Sequence, residues 1–164
     1  MNEQKRATNA PHSSMGESHY RHLAIMTGLS FVAMYVLMYA MVDRLANVYM
    51  NVNQVYMAGL MAAPMVLIEL AVMRGMYRDK RLNAVAAGGA LIAGVAFLFL
   101  IRQQAAVGDR QFLRSMIPHH AGAILMCSEA PVTDAEIRSL CQNILMSQQA
   151  EIDQMKAMLE KGSR

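Results

Sequence analysis

Two adjacent histidines and two methionines lie within one eleven-residue stretch, Met116–Met126. On a helix, Met116 precedes His119 and His120 by three and four residues, and Met126 returns to the face of His119. Thioether sulfur and imidazole nitrogen form a soft-to-borderline donor set, which suits Cu(I) better than a hard cation. The stretch therefore predicts a copper site, although core methionines and surface histidines of an ordinary helix would give the same pattern.

A following helix adds further candidate ligands, which two facing helices would bring toward the first group. The predicted metal ligands are Met116, His119, His120, Met126, Glu151, Met155 and Met158. A ferritin-type di-iron site requires Glu-x-x-His pairs, and no glutamate in residues 109–160 precedes a histidine by three. The sequence contains neither of the common zinc-binding motifs Cys-x-x-Cys and His-x-x-x-His. We therefore favour copper, and no nucleophile–base pair or nucleotide loop indicates an enzyme.

The composition indicates a membrane protein. The chain has 164 residues, of which 55% are hydrophobic, with 17 methionines and a formal net charge of +3. Its basic residues are scattered or flank apolar runs and form no stripe with interleaved aromatics, which excludes nucleic acid as a partner. Methionine is a pliable packing residue, so packing accounts for most of the methionines.

Three apolar runs are each long enough to cross about 30 Å of hydrocarbon, with membrane lipid as their partner. They cover residues 23–42, 55–73 and 84–101. The first two runs each contain a stripe of methionines at helical spacing. Such a stripe either packs against a neighbouring helix or conducts Cu(I) across the membrane. The two stripes comprise Met34, Met38 and Met41, and Met57, Met61 and Met65. In the third run, Ala86, Ala90 and Gly94 form a small-residue face that lets helix backbones approach closely.

Basic residues predict the orientation of these spans. The second connection carries Arg74, Arg78, Lys80 and Arg81, whereas the first carries only Arg44. By the positive-inside rule the N-terminus is cytoplasmic, so the chain after residue 101 lies in the periplasm of a bacterium with an inner membrane. The predicted organisation is a disordered cytoplasmic tail (1–22), a three-span membrane domain (23–101), a helical stalk (102–108) and a periplasmic hairpin (109–160).

The hairpin is predicted to contain helices over residues 110–128 and 134–160. Asp109 can cap the first helix, and Thr133 with Glu136 forms a capping box before the second. Two amphipathic helices cannot enclose a core, so we expect two hairpins to form a four-helix bundle in a homodimer or higher oligomer. The predicted fold class is therefore all-α.

Cys127 and Cys141 are the only cysteines, one in each predicted helix of the hairpin. An oxidising compartment permits a disulfide that would join the two helices. Thiolate ligands for copper and free buried thiols are the alternatives that the sequence leaves open. A thiol redox protein is a further alternative, although the chain lacks a close Cys-x-x-Cys pair.

The motif Met116-Ile117-Pro118-His119-His120, with Gly122, Ala123, Ile124 and Met126, is followed by Gln148-x-x-Glu151-Ile152-x-x-Met155. Together these motifs, over residues 109–159, resemble the bacterial domain-of-unknown-function family 305. The resemblance implies a ferritin-like helical bundle, here half of one per chain, and copper binding as in some periplasmic relatives. The resemblance also implies that six residues are copper ligands: Met116, His119, His120, Met126, Glu151 and Met155. This chain differs in having three spans in place of an export signal.

These features predict a membrane-anchored periplasmic protein that sequesters or delivers Cu(I) in copper tolerance, with a copper transporter or another membrane protein as partner. The alternative is a non-enzymatic accessory subunit of a membrane complex, with the hairpin as its interaction surface.

Overall fold

The computed structural model describes residues 12–162, and over that range the chain is all-α, as predicted. The five helices are α1 (His12–Leu37), α2 (Val52–Val72), α3 (Lys80–Arg102), α4 (Asp109–Glu129) and α5 (Ala135–Lys161). Two 3₁₀ turns, Met38–Met41 and Leu45–Asn47, connect α1 to α2. The chain divides into two compact units. The first contains residues up to Met34 and Ala58–Phe99, and the second contains Tyr35–Met57 and the chain from Leu100 onward.

Three helices are long and apolar enough to cross a membrane: Ser18–Met41, Val52–Val72 and Lys80–Arg102. Many of their apolar side chains are not covered by protein, including Leu29 and Ile92, which are 66% and 72% exposed. Lipid would remove such side chains from water. The prediction of three apolar helices is confirmed. Helix α1 begins at His12, within the stretch predicted to be a disordered tail, and residues 1–11 of that prediction lie outside the described residues.

Helices α2 and α3 of the first unit approach closely where their residues are small. A Cβ atom added to Gly94 would lie 3.2 Å from the Cβ of Ala63, and one added to Gly59 would overlap the Phe97 ring. Ala90 is buried on the same face of α3. The small-residue face predicted from the sequence therefore packs against α2, as is common between membrane helices.

Helix α3 ends at Arg102, so the helical stalk expected over residues 102–108 is replaced by a turn. The N–H of Ala105 donates to the carbonyl of Leu100 at 3.0 Å, and that of Gln104 donates to Ile101 at 3.2 Å. Gln104 has a φ of 49°. This pair of bonds around a left-handed residue is a Schellman motif, which satisfies the last carbonyls of the helix.

Helices α4 and α5 form the predicted hairpin in the second unit. Its core is formed by Ile117, Ala121, Ile124, Ile152 and Met155. Helix α4 continues through Pro118, which removes one backbone donor without ending the helix.

Both predicted caps are one residue out of register. The carboxylate of Asp134 accepts from the N–H groups of Glu136 and Ile137 at 2.9 and 3.0 Å, so Asp134 and not Thr133 is the N-cap of α5. The N-cap of α4 is Gly108, and no side chain caps it. Asp109 is instead the first helical residue, where its negative charge meets the positive end of the helix dipole.

A disulfide joins Cys127 of α4 to Cys141 of α5, with their Cα atoms 5.1 Å apart. The sequence left open a disulfide, thiolate ligands and free thiols, and the structure contains the disulfide. The two cysteines are 14 positions apart in the sequence, so the cross-link closes a short loop. Neither sulfur is a thiolate in this state, so neither acts as a thiolate ligand.

We predict that the double substitution Cys127→Ser/Cys141→Ser lowers the free energy of unfolding of the hairpin by about 3 kcal/mol, because the unfolded chain regains its loop entropy. Hydrogen exchange of α4 and α5 amides in the full chain measures the change. Reducing the wild-type protein is the matched control and should give a similar loss. Unchanged protection in both experiments would contradict the prediction.

Candidate metal-binding cleft

The seven predicted ligands fall into separate environments in the structure. Met116, His119 and Met126 line one cleft of the second unit. His120 and Glu151 form a pair with each other. Met155 is buried in the hairpin core, and Met158 is 47% exposed and does not line the cleft. Only three of the seven therefore share a ligand-sized space.

The cleft has a volume of about 480 Å³ and lies wholly within the second unit. It contains five methionines and one histidine. These are Met38, Met41, Met57, Met116, Met126 and His119. Its polar lining consists of neutral side chains: Asn51, Asn53, Gln54, Gln104 and Ser115. Neither Asp, Glu, Lys nor Arg is among the residues that line it.

Helix α4 supplies one wall of the cleft. Met116, His119, Ala123 and Met126 follow one face at spacings of three and four residues, as periodicity predicts. At Gly122 the helix approaches the 3₁₀ turn that follows α1, where an added Cβ atom would lie 3.4 Å from the carbonyl oxygen of Met41. Glycine thus permits a close approach between the wall and the turn that carries Met38 and Met41.

The other wall comes from the connection between α1 and α2, which is attached to the hairpin by polar contacts. Lys156 of α5 donates to Oδ1 of Asn47 at 2.6 Å, and Nδ2 of Asn47 donates to Asp43 at 2.6 Å. Asn47 is only 1% exposed. Val42 and Tyr49 pack against the hairpin core. The hairpin is therefore partly covered by its own chain, and the homodimer stays a prediction.

Asp43 strengthens this attachment electrostatically. Burial raises its pKa, but hydrogen bonds from Asn47 and Arg44 and the charge of Arg44 outweigh burial, so the pKa of Asp43 lies below its ordinary value. The Arg44 guanidinium donates to Asp43 at 2.7 Å. A carboxyl group whose pKa is lowered on folding stabilises the fold above its ordinary pKa, and the contribution is lost as the pH falls through the folded-state pKa.

We predict that Asp43→Asn lowers the free energy of unfolding by about 1 kcal/mol at neutral pH, because charge-assisted hydrogen bonds become neutral ones. The difference from wild type should shrink as the pH falls from about 4, where Asp43 of the unfolded chain takes up a proton, through the lower pKa of Asp43 in the folded state. Denaturant unfolding at several pH values measures this. Glu129→Gln, which removes an exposed carboxylate, should show no such pH-dependent difference. A wild-type–variant difference that is constant with pH would contradict the prediction.

The two adjacent histidines have different environments. His120 is 7% exposed, and its Nδ1 lies 2.8 Å from the carbonyl oxygen of Met116 while its Nε2 lies 2.6 Å from Oε2 of Glu151. Both neighbours are oxygen acceptors, and a neutral imidazole has only one N–H to donate. Two arrangements of protons make both contacts hydrogen bonds. Either both ring nitrogens carry protons and donate, or Nδ1 donates to Met116 while a protonated Glu151 donates to Nε2. His120 therefore links α4 to α5, whereas His119 is exposed at the cleft.

Across residues 12–162, no group of three or more His, Cys, Asp or Glu side chains is arranged to hold a metal ion. The clustered donors of the cleft are thioethers instead. The ligand set predicted from the sequence omitted Met38, Met41 and Met57, although helical spacing had marked them as parts of two methionine stripes. Nothing in the local sequence indicated that Asn53 and Gln104 would lie beside them.

The fold and the cleft define a class: an all-α protein with three apolar helices and a disulfide-linked hairpin bearing a methionine-rich cleft. The family model described as "Domain of unknown function (DUF305)" matches residues 42–159, which is more than half of the chain. The chain belongs to this family. The resemblance to the family noted over residues 109–159 is therefore confirmed. The match extends upstream to residue 42, so it includes Asn53 and Met57 of the cleft but neither Met38 nor Met41.

A similar protein is "Uncharacterized protein L153" of Acanthamoeba polyphaga mimivirus. It is 29% identical over 142 residues, which cover 85% of this chain and 91% of the viral protein. No solved structure matches the chain.

Proposed function

We propose that this protein binds Cu(I) in the methionine-rich cleft and sequesters or delivers it in copper tolerance. The observation that carries the proposal is the grouping of five thioethers and one imidazole around one cleft. Soft sulfur ligands favour Cu(I), and imidazole is a good borderline ligand. The ligands that we assign are Met116, Met126 and His119 of α4, with Met38, Met41 and Met57 from the opposite wall. We assign no enzymatic activity.

The proposed location is a bacterial inner membrane, with the N-terminus in the cytoplasm and the hairpin in the periplasm. Two observations support it. The disulfide between Cys127 and Cys141 is typical of an oxidising compartment. The connection between α1 and α2 packs against the hairpin, as expected if both lie on the same side of the membrane. The basic second connection would then be cytoplasmic.

A homodimer or higher oligomer and contact with a copper transporter remain part of this proposal. Ile137 and Leu140 support self-association, because both are about half exposed on one side of α5. Burying such side chains between two hairpins would complete a four-helix bundle.

We predict that replacing Met116 and Met126 together by leucine weakens Cu(I) binding at least about tenfold, a change of about 1.4 kcal/mol. Leucine retains volume and hydrophobicity but removes the sulfur donors. The measurement is Cu(I) titration of the detergent-solubilised full chain under anaerobic conditions, in competition with a chromogenic chelator. Reductant is omitted so that the disulfide stays intact.

Met155→Leu is the matched control, since it removes a thioether from the core and not from the cleft. This variant should bind Cu(I) as wild type does. Equal loss in the cleft and core variants, or tight binding that survives removal of the cleft sulfurs, would overturn the assignment of the cleft.

We further predict that His119→Gln weakens Cu(I) binding at neutral pH, because glutamine removes the imidazole nitrogen donor from the cleft. The same competition titration provides the measurement. Unchanged Cu(I) affinity in a folded His119→Gln variant would remove His119 from the assigned ligands.

The second candidate, a non-enzymatic accessory subunit, has one observation in its favour. The first unit contains an apolar groove of about 440 Å³ lined largely by small residues. Gly28 and Gly89 both line it, and an added Cβ atom would meet no other atom within 4 Å at either position. A transmembrane helix of a partner would fit such a surface. Under this alternative the purified chain binds no Cu(I) tightly, and Gly89→Leu rather than Met116→Leu impairs function in cells.

A further inference from the structure

The apolar groove of the first unit is lined by three helices. Residues of α1 between Thr27 and Phe31 line one side, and residues of α3 between Val85 and Phe97 line the other. Helix α2 contributes Ala62 and Ala63, which are buried. Thr27 has the only polar side chain of the lining, and its hydroxyl donates to a backbone carbonyl of its own helix. The groove therefore suits an apolar group.

The groove is long and narrow. Its lining on α3 extends from Val85 to Phe97, which is about 18 Å of helix at 1.5 Å per residue. Over that length, a volume of about 440 Å³ corresponds to a width of about 6 Å. A polypeptide helix with its side chains is about 10 Å across. An extended acyl chain therefore fits along the whole groove, whereas a helix would enter it only with its small residues.

One edge of the groove is open. Val85 is 71% exposed, and Gly28 on the opposite side of the groove is exposed as well. Helices α1, α2 and α3 are the ones that are long and apolar enough to cross a membrane. In a bilayer this edge would therefore meet the acyl chains of lipids.

Cationic side chains lie at one end of the open edge. Arg21 precedes Gly28 by two turns of α1, and Arg81 precedes Val85 by one turn of α3. Both arginines are exposed. The connection between α2 and α3 adds three further exposed cations: Arg74, Arg78 and Lys80. An apolar groove thus leads to a basic end, as the two parts of a phospholipid require.

Hydrogen bonds hold Arg21 and Arg81 at the same level of the first unit. Tyr20 is the neighbour of Arg21, and its hydroxyl lies 2.7 Å from Oδ1 of Asn83 and 3.1 Å from the carbonyl oxygen of Asp79. These two partners stand two positions on either side of Arg81 in the sequence. The start of α1 is therefore attached to the start of α3, and one arginine comes from each helix.

Among the side chains that the structure describes, neither arginine forms an ion pair, and the two pairs present lie in the second unit. The nearby carboxylates have other partners. Oδ1 of Asp79 accepts from the backbone N–H groups of Arg81 and Leu82 at 2.8 and 3.1 Å. Glu69 accepts from the Tyr77 hydroxyl at 3.3 Å. The guanidinium groups are thus available to an external anion.

We propose that the first unit binds an anionic phospholipid from the leaflet next to the α2–α3 connection, with an acyl chain in the groove and the phosphate at Arg21 and Arg81. Basic pockets beside membrane helices recognise anionic headgroups. Arginine suits phosphate because its planar guanidinium donates two parallel hydrogen bonds. The proposal does not depend on Cu(I) binding, because the methionine-rich cleft lies in the second unit.

The test is native mass spectrometry of the detergent-solubilised full chain, titrated with phosphatidylglycerol or with phosphatidylcholine of the same acyl chains. Wild type should bind the anionic lipid at least about tenfold more tightly. The double substitution Arg21→Gln/Arg81→Gln should lower phosphatidylglycerol affinity at least about tenfold and leave phosphatidylcholine affinity unchanged. Arg102→Gln is the matched control, since it removes the same charge at the other end of α3, and it should alter neither affinity.

Gly89→Leu tests the groove, because the new side chain would occupy the space of the acyl chain and should weaken binding of both lipids. Gly88→Leu is its matched control. An added Cβ atom meets no other atom within 4 Å at either glycine, but Gly88 does not line the groove. The control should therefore bind both lipids as wild type does.

Equal affinity of wild type for the two lipids would overturn the proposal, and so would equal effects of Gly88→Leu and Gly89→Leu. Competition at equal concentration by glycerophosphoglycerol, the same headgroup without acyl chains, would show that phosphate is bound without the groove and would overturn it too. A second copy or a partner's helix that Gly89→Leu displaces, and that phosphatidylglycerol does not, would assign the groove to protein instead of lipid.

Discussion

The packing of Ile117 against the α5 side of the hairpin fixes the rotation of α4, and the rest of the second unit depends on that rotation. Ile117 and Ile152 are both 0% exposed in one core. With Ile117, Ala121 and Ile124 turned inward, the face bearing Met116, His119 and Met126 lines the cleft. Neighbouring residues diverge by about 100° on a helix, which separates His119 from His120. A core contact thus decides which imidazole is available to a ligand.

The first two apolar helices also contribute side chains to the cleft. Met38, Met41 and Met57 come from the end of the first candidate span and the start of the second, and they supply three of the five sulfur atoms that line the cleft. The buried amide of Asn47 and its bonds to Lys156 and Asp43 hold the intervening connection on α5. The cleft is therefore formed by segments distant in sequence. The family match over residues 42–159 includes this connection from residue 42 onward, but neither Met38 nor Met41.

The disulfide and the His120–Glu151 pair both join α4 to α5, and both use side chains that the sequence offered as candidate metal ligands. Cys127 and Cys141 are committed to each other, and His120 has an oxygen atom at each ring nitrogen. What remains is a donor set dominated by neutral sulfur. The sequence predicted a mixture of glutamate, histidine and methionine ligands. The cleft lacks the glutamate and one histidine of that mixture, because Glu151 and His120 pair with each other.

Features that depend on neighbours along the chain were predictable from the amino-acid sequence. Length and hydropathy predicted the three apolar helices, and helical periodicity predicted that Met116, His119 and Met126 share a face. The motifs around Met116 and Glu151 identified the family. The predicted N-cap of the last helix was wrong by one residue, since Asp134 and not Thr133 caps it. Both residue types can cap a helix, and only the backbone conformation distinguishes them.

Features that depend on how separate segments meet arise from tertiary packing. It brought Met38, Met41 and Met57 to the cleft, buried Met155 in the core and paired Cys127 with Cys141. It also gave Asn53 its place between Gln104 and Ser115. Periodicity specifies which residues share a helix face, but the direction of that face is set by packing between residues up to about a hundred positions apart, which local sequence does not encode.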